Sequence, residues 1–393
     1  TAQTQAAADT ESADTEASAA DTEAGEEAAD TEASAEAGEV TAVDTSEISQ
    51  QNLMASSGWG VGHVWTEHYY KPFLEYVKEA TGGLVDYTLF TDGELVALTG
   101  ELDAVRQGQC DIALSLSPFY DTARFPLSAV TGLPTTINDE NVNMVAVDLL
   151  MHSDKELADG KTFYELEFID NGVVAWPTPA TTGYYILTTK GNEIHSAADF
   201  NAELRLRTAS SAAEEYVKLL GATPVSLPGS ECFDALSRGA LDGIIMPTDW
   251  VNLGYTDMLG QAIDAGVGCN LSYIAISTDV WNSWPEAQQQ AFEDAYQATY
   301  MAGGAGTTEY KVRDEAALTD SGAELLRLAD CPDDVRELIE NATVQTWYKW
   351  IDSMEEIGEP GKEAAILWRD CLIEAGGTVP EEMMSLEDYT PGN

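Results

Sequence analysis

Residues 85–115 read VDYTLFTDGELVALTGELDAVRQGQCDIALS, and this stretch decides the fold class. Residues 85–90 alternate polar and apolar side chains, as a half-buried strand does, and residues 111–115 form a second β-type run. Between them, apolar residues recur at helical spacing over 95–107, and Gly108 is a typical residue to end a helix. The stretch therefore predicts a strand, a helix and a second strand.

The same alternation continues on both sides of this stretch. Upstream, a strand is predicted from about residue 49 and a helix over 68–80, ended by Gly82 and Gly83. Downstream, a second set of strands alternates with two helices: strands 184–189, 204–208, 224–228 and 243–246, and helices 212–220 and 230–237. Such alternation predicts mostly parallel sheets covered by helices, with a ligand site outside the carboxyl ends of the strands.

The length of the chain favours two lobes. A chain of 393 residues exceeds what one hydrophobic core usually supports. Two similar α/β halves leave a cleft between them, and apolar spacing over 285–300 and 335–355 predicts helices long enough to run across both halves. The predicted fold class is α/β, a two-lobed clamp with a long C-terminal bracing helix.

The charge of the chain excludes one class of partner. Asp and Glu total 69 against 18 Lys and Arg, which gives a formal net charge of −51. Such a surface repels nucleic acids and anionic membranes. We therefore expect no nucleic-acid partner, and self-repulsion of this kind favours a monomer.

The first 48 residues differ from the rest. Residues 1–45 repeat Asp-Thr-Glu among Ala, Ser and Gly, and residues 1–50 contain 14 acids and no Lys or Arg. This composition cannot bury a core, so we predict a disordered acidic tether over 1–48. The chain starts at Thr1, which indicates a product whose signal peptide has been removed, and the tether is typical of an exported lipoprotein on the cell surface or in the periplasm.

The five cysteines do not form a metal motif. They are far apart, and none stands in a CxxC pair or at a spacing typical of Cys/His ligands: Cys110, Cys232, Cys269, Cys331 and Cys371. Cys110 and Cys232 lie in apolar stretches, where a free cysteine serves as a small core residue. A bridge between Cys331 and Cys371 stays open as an alternative.

Several ordered segments together resemble the substrate-binding subunits of TRAP transporters, the tripartite importers driven by ion gradients. The resemblance covers roughly residues 50–300. It rests on LDAVRQGQCDIA at 102–113, followed by Tyr120 and FPLSAVTGLP at 125–134, on LRLR at 204–207, LGATPVSLP at 220–228 and ALSRGALDG at 235–243, and on the weaker DVWNSWPEAQQ at 279–289.

This resemblance implies a clamp whose two lobes are joined by hinge strands and braced by a long C-terminal helix. We place lobe I at 49–180 and 270–312, and lobe II at 181–269 and 313–385. The resemblance also implies capture of a small organic acid by lobe closure, and two membrane subunits of an importer as partners.

The family's ligand contact is an arginine at the end of the LRLR strand, which is Arg207 here. A planar guanidinium matches a carboxylate in two parallel hydrogen bonds. The chain departs from the family pattern where a further arginine is common, since it has Tyr184 and Tyr185 there, and where Asn is found in some members it has Met246. Both changes make the pocket less polar, so we expect an acid with an apolar or aromatic body.

The predicted ligand-binding residues lie at strand ends or in cleft loops: Arg207, Trp59, Ser56, Ser57, Ser115, Phe119, Tyr185, Met246, Trp250 and Trp176. Trp59 and Trp250 are the preferred aromatic pair, because most of the other tryptophans serve to pack a core. A serine at a strand end is as often a turn or cap residue as a ligand contact.

We find no catalytic or cofactor motif. Gly58, Gly60 and Gly62 lack the spacing of a dinucleotide loop, and the four histidines show neither metal-ligand spacing nor a nucleophile and base set. We expect a binding protein that is not an enzyme and has no cofactor or metal. The receptor of an ABC-type importer, a tethered hydrolase and an adhesive surface protein are the alternatives.

Overall fold

A computed structural model describes residues 38–227, 231–248, 254–269 and 271–392. These residues form the following strands: β1 (Gln51–Ser56), β2 (Val85–Phe90), β3 (Ile112–Leu116), β4 (Glu156–Ala158), β5 (Lys161–Thr162), β6 (Val173–Pro177), β7 (Tyr185–Thr189), β8 (Arg205–Thr208), β9 (Thr223–Ser226), β10 (Gly243–Met246), β11 (Leu259–Asp264), β12 (Tyr273–Ser277) and β13 (Glu324–Arg327).

The same residues form these α-helices: α1 (Lys71–Ala80), α2 (Glu101–Arg106), α3 (Glu140–Met151), α4 (Ser211–Leu220), α5 (Cys232–Ser237), α6 (Thr278–Ser283), α7 (Glu286–Asp320), α8 (Asp333–Ile357) and α9 (Gly361–Glu374). Short 3-10 helices follow β3, at Pro118–Tyr120 and Leu127–Gly132. The strands and helices predicted for both halves are confirmed, whereas α3, α9 and the strands β4, β5, β6, β11, β12 and β13 were not predicted.

The strands form two main sheets. In the first sheet the order is β2-β1-β3-β12-β6, with β1, β2 and β3 parallel and β12 antiparallel to both of its neighbours. In the second sheet the order is β13-β11-β7-β10-β8-β9, and β10, β8 and β9 are parallel to one another. Helices cover these sheets, so the predicted two-lobed α/β fold class is confirmed.

Each sheet has its own hydrophobic core. The core around the first sheet takes in apolar faces of α1, α2, α3 and α9, and the second sheet carries a core on each face. The helix α8 joins the two parts: Val335 and Ile339 pack in a core of the second sheet, while Trp347 and Ile351 pack in the core of the first. The helix α7 likewise contacts α1 at one end and β13 at the other, as expected of bracing helices.

Two segments cross between the sheets side by side. Residues 178–184 pair through their backbones with residues 265–269 and 271–272, with Val267 N donating to Tyr184 O at 3.0 Å and Thr178 N donating to Ser272 O at 2.8 Å. Gly266 requires its glycine, because its φ is +57° and a Cβ there would lie 2.5 Å from Ile137 N in the loop before α3. Because these segments link the two sheets, they correspond in position to the predicted hinge strands.

Two terminal regions depart from the predicted limits of the tether and of the lobes. The other predicted limits stay predictions. Residues 38–48 belong to the predicted tether, yet Gly38 N donates to Ala298 O at 3.0 Å and Val43 N donates to Ala80 O at 3.0 Å. This stretch therefore packs on α7 and α1, while residues 1–37 of the predicted tether lie outside the described residues. In the predicted lobe II, α9 packs instead in the core of the first sheet.

Candidate functional site

The candidate site lies where strand ends of the two sheets meet. The parallel strands β1 and β3 end on the same side of the first sheet and lead into residues 57–59 and 117–120. In the second sheet, β8 and β10 run parallel, and Arg207 lies one residue before the end of β8. The start of α4 contacts the segment Leu127–Gly132, so the two lobes touch beside this site.

Arg207 is the central charge of the site. Its side chain is only 3% exposed. Its Nε donates to Leu227 O at 2.8 Å and one terminal nitrogen donates to Ile245 O at 3.5 Å, which uses two of the five guanidinium N–H groups. No carboxylate among the described residues forms an ion pair with Arg207. Because burying an uncompensated charge is costly, this arrangement favours an anion as the missing partner.

Arg207 faces residues from both lobes. Burial raises the pKa of Tyr120, which belongs to lobe I, and the positive charge of Arg207 acts in the opposite direction. Burial likewise raises the pKa of Cys232 and of Tyr255 in the predicted lobe II, and the charge of Arg207 again acts in the opposite direction. Tyr120 is 42% exposed and packs edge-on against Phe119, with ring centroids 5.4 Å apart. Tyr120 therefore lies near enough to Arg207 to feel its charge.

A concave pocket lies beside the Phe119–Tyr120 turn. It encloses about 270 Å³ of empty space, including space open to solvent, and its walls come from the turn, the segment Leu127–Gly132 and the end of a hinge crossing: Pro118, Phe119, Ser128, Ala129, Thr131, Gly132, Cys269, Leu271 and Tyr273. Phe119, which the sequence predicts as a ligand contact, is thus a wall residue of a concavity next to the site.

Three of the predicted residues are held together at the end of the first sheet. Ser57 Oγ accepts from Trp59 N at 3.0 Å and donates to Trp59 O at 3.3 Å. Gly58 N donates to Ser115 Oγ at 2.7 Å. Ser56 is also fully buried at the end of β1, and its hydroxyl has no hydrogen-bond partner among the described residues. The strand-end serines therefore do form one cluster.

Trp59 belongs to an aromatic group at the rim of this cluster. Its ring stacks on His63 with centroids 4.7 Å apart and meets Trp65 edge-on at 5.9 Å. Its Nε1 donates to Ser272 Oγ at 3.5 Å. Burial lowers the pKa of His63 to about 4, and Trp65 N donates to its Nδ1 at 3.3 Å, so the imidazole is neutral at pH 7. The neutral stack holds the indole in place.

Beneath this cluster lies a carboxyl group that the sequence analysis missed. Glu101 is 1% exposed and accepts three hydrogen bonds from Gly58 and Ser115. Burial raises its pKa to about 8, and those hydrogen bonds act in the opposite direction. An acid in the first turn of a helix usually faces solvent, so the apolar periodicity of α2 gave no signal for this contact.

The other predicted residues have different surroundings. Tyr185 is buried, and its hydroxyl donates to Glu315 and accepts from Arg327 at 3.4 Å. Trp176 packs against Phe73 at 6.0 Å within the core of the first sheet. The contacts of neither residue support a ligand role.

Two of the predicted residues remain, Met246 and Trp250. Met246 is 1% exposed in a core of the second sheet, on the same face as Cys232. Trp250 lies outside the described residues.

Other chemistry is not visible in the described residues. All five cysteines are free and buried, so the alternative of a bridge between Cys331 and Cys371 is wrong: the two side chains lie in different cores. No group of His, Cys, Asp and Glu within the described ranges is arranged to hold a metal ion. No helix in this part of the chain is both long and apolar enough to cross a membrane.

Known proteins resemble the chain in both sequence and structure. A curated relative, the monocarboxylate 2-oxoacid-binding periplasmic protein of Nostoc, is 25% identical over 228 residues, which is 56% of this chain and 58% of the relative. The chain thus spans little more than half the length of that relative.

Two solved structures share the fold. A TRAP periplasmic solute-binding protein from Bordetella bronchiseptica, with (R)- and (S)-mandelate bound, has a TM-score of 0.67 at 21% identity, covering 82% of this chain and 99% of that one. A marine metagenome TRAP solute-binding protein specific for aromatic acid ligands has a TM-score of 0.71 at 18% identity, covering 83% and 99%.

The family profile is the decisive comparison, because it matches most of the folded part and includes both walls of the site. The profile described as bacterial extracellular solute-binding protein, family 7 (DctP), matches residues 55–330. The chain belongs to this family of extracellular solute-binding proteins.

Proposed function

We propose that this chain is the solute receptor of a TRAP-type importer and that it captures a small organic acid between its two lobes. The observation that carries the proposal is Arg207, a buried guanidinium that no carboxylate among the described residues neutralises. Its position at a strand end opposite Tyr120 is suited to a ligand carboxylate, which would supply the missing charge and two hydrogen-bond acceptors.

The body of the acid is expected to be apolar or aromatic. On the side of the first sheet, the described residues at the strand ends include aromatic rings and hydroxyl groups, namely Phe119, Tyr120, Trp59 and the strand-end serines. Rings and hydroxyl groups can contact an uncharged body through stacking and single hydrogen bonds. The aromatic acid ligands named for two structural neighbours support this class of ligand.

Lobe closure would follow from a ligand that touches both walls. Such a ligand binds the closed state more tightly than the open state and so shifts the population toward closure. The crossing segments at 178–184, 265–269 and 271–272 are the proposed hinge. In this proposal the closed monomer docks on membrane subunits of the importer, is held outside the cytoplasm by its N-terminal tether as a lipoprotein, and has no enzymatic activity.

The test is a matched pair of arginine variants on one strand. Arg207→Lys keeps the positive charge but loses the planar fork, so we expect Kd to rise about tenfold, since a hydrogen bond to a charged group contributes roughly 1.5–3 kcal/mol. Arg205→Lys is the control, because Arg205 is two residues away, 40% exposed at its side chain, and already paired with Asp242 at 2.7 Å. We expect it to change Kd less than about twofold.

Binding would be measured by calorimetry with benzoate, mandelate, pyruvate and pyroglutamate, and each acid would also be tested as its ester for turnover. Equal effects of the two substitutions, or unchanged affinity in Arg207→Lys, would refute the role of Arg207. Hydrolysis of an ester would instead support the alternative of a hydrolase.

A further inference from the structure

Glu101 joins two neighbouring strand ends through one carboxyl group. Its Oε1 accepts from Gly58 N at 3.1 Å and from Ser115 Oγ at 2.6 Å, and its Oε2 accepts from Ser115 N at 2.9 Å. Gly58 follows β1, and Ser115 lies in β3. The two strands pair directly, so the carboxyl group ties the turn after one strand to the end of its neighbour.

The tied turn also has little freedom to move elsewhere. A Cβ at Gly58 would lie 2.7 Å from the Cα of Leu98, which shows that the turn packs directly on the chain just before α2. The next residue is Trp59, whose backbone is fixed by Ser57 Oγ on one side and whose indole lies against His63. The position of the indole therefore depends on the geometry of the turn that Glu101 holds.

We propose that Glu101 is a positioning residue for ligand capture: it fixes the Gly58–Trp59 turn and the Ser115 hydroxyl as one rigid wall of the cleft. This inference rests on the proposed function, since it assigns that wall to the body of the acid while Arg207 binds the carboxylate. A wall that is ordered before the ligand arrives spares the ordering cost that otherwise weakens binding.

The protonation of Glu101 gives the proposal a distinctive signature. An ionised carboxylate accepts all three hydrogen bonds, whereas a protonated carboxyl group turns one oxygen into a donor and disturbs the pattern. The other titratable groups that face Glu101 are Tyr70 and Cys110; burial raises the pKa of both, that of Cys110 to about 12. Glu101, with a pKa raised by burial to about 8, is therefore the group of the three that titrates near neutral pH.

The experiment compares two buried glutamates of lobe I. Glu101→Gln replaces an acceptor oxygen by a donor opposite Ser115 N. Glu140→Gln is the control: Glu140 is 4% exposed and accepts from Lys311 Nζ at 3.1 Å, but among the described residues it makes no hydrogen bond to the Gly58–Trp59 turn, to Ser115 or to the pocket wall at Leu127–Gly132. The probe is whichever of benzoate, mandelate, pyruvate and pyroglutamate binds the wild-type chain most tightly.

We expect Glu101→Gln to raise Kd about tenfold and Glu140→Gln to change it less than twofold, at matched folded fractions. Wild-type Kd is expected to fall between pH 6 and pH 9 as Glu101 ionises, and the fall is expected to be smaller in Glu101→Gln. Burial also raises the pKa of Glu167 to about 7, so any effect of Glu167 on Kd is common to both proteins. The emission that Trp59 contributes, taken as the difference from Trp59→Phe, should shift to longer wavelength in Glu101→Gln even without ligand.

Each failure has its own meaning. Equal Kd changes in the two glutamate variants, or a fall of Kd with pH in Glu101→Gln as large as that in the wild-type chain, would overturn the positioning role and leave Arg207 untouched. If the wild-type chain binds none of the acids, the proposed function itself fails. Should Glu101→Gln not fold, Ser115→Ala removes one of the three donors, and a Kd equal to that of the wild-type chain would overturn the inference.

Discussion

Two arginines in different parts of the molecule show what a buried charge is used for. Arg369 on α9 is 5% exposed and donates to Glu387 at 2.6 Å and to Asp370 at 2.7 Å. Arg207 on β8 is 3% exposed and donates to backbone carbonyl groups alone among the described residues. Of the 18 Lys and Arg, all of which lie in the described ranges, these two are buried.

We propose that the difference separates a structural charge from a ligand-binding one. Arg369 is neutralised within the fold, so its charge stabilises the contact between α9 and the C-terminal residues. In this proposal the charge of Arg207 has no counter-ion in the empty protein, which lowers the free energy of unfolding. A bound anion would supply the counter-ion and restore that stability. Matched substitutions of the two residues, each to methionine, test this contrast.

The largest expected effect is on affinity. Arg207→Met removes the anchor of the acid, so Kd should rise at least tenfold, which corresponds to about 1.4 kcal/mol or more. Arg369→Met should leave Kd within about twofold of the wild-type value, because its partners lie outside the site. Calorimetric titration of both variants with the same acid measures this, and a comparable loss in both would remove the distinction.

A smaller effect is expected on the free energy of unfolding without ligand, and the two variants should change it in opposite directions. Arg207→Met removes an uncompensated buried charge, so stability should stay the same or rise by about 1 kcal/mol. Arg369→Met breaks ion pairs whose carboxylates are about half exposed, so stability should fall by about 1–2 kcal/mol. Urea unfolding of both variants without ligand measures these free energies. A loss of stability in Arg207→Met would contradict the contrast.

The smallest effect concerns acid pH. The Arg369 guanidinium lowers the pKa of Glu387 to about 2. Because the folded pKa lies below the unfolded value, the contribution is present above about pH 4.5 and is lost as pH falls through 2. Arg369→Met should therefore lose less stability over that range than the wild-type chain, whereas Arg207→Met should follow the wild-type slope. Unfolding curves collected from pH 5 to pH 2 test this.

Most of the fold could be predicted from local patterns in the sequence. Residues 85–115 predicted β2, a helix and β3 because half-buried strands and amphipathic helices carry their periods in the sequence. The helix was predicted at 95–107 but α2 begins only at Glu101, since the preceding residues adopt a short 3-10 helix at Leu98–Gly100. The length of α7 was underestimated, because Gly303, Gly304 and Gly306 interrupt its apolar pattern where the helix packs closely on its neighbours.

The candidate site could be predicted from the sequence only in part. The prediction of Ser57, Trp59 and Ser115 placed three residues that the structure brings into one cluster, because residues at the ends of neighbouring parallel strands share an edge. Tyr185 and Trp176 looked equally suitable as aromatic residues near strand ends, yet both are engaged in buried contacts elsewhere. Periodicity assigns a residue to a face of a strand and does not say what covers that face.

By itself the sequence determined the alternation of strands and helices, the excess of acids and the LRLR strand that carries Arg207, because these depend on residue type and short-range spacing. Tertiary structure alone decided that Arg207 is buried with no carboxylate partner in the described chain, that its charge acts on Tyr120, and that Glu101 accepts hydrogen bonds from Gly58 and Ser115. Burial and pairing arise between residues distant in sequence, such as positions 58, 101 and 115, so no local pattern records them.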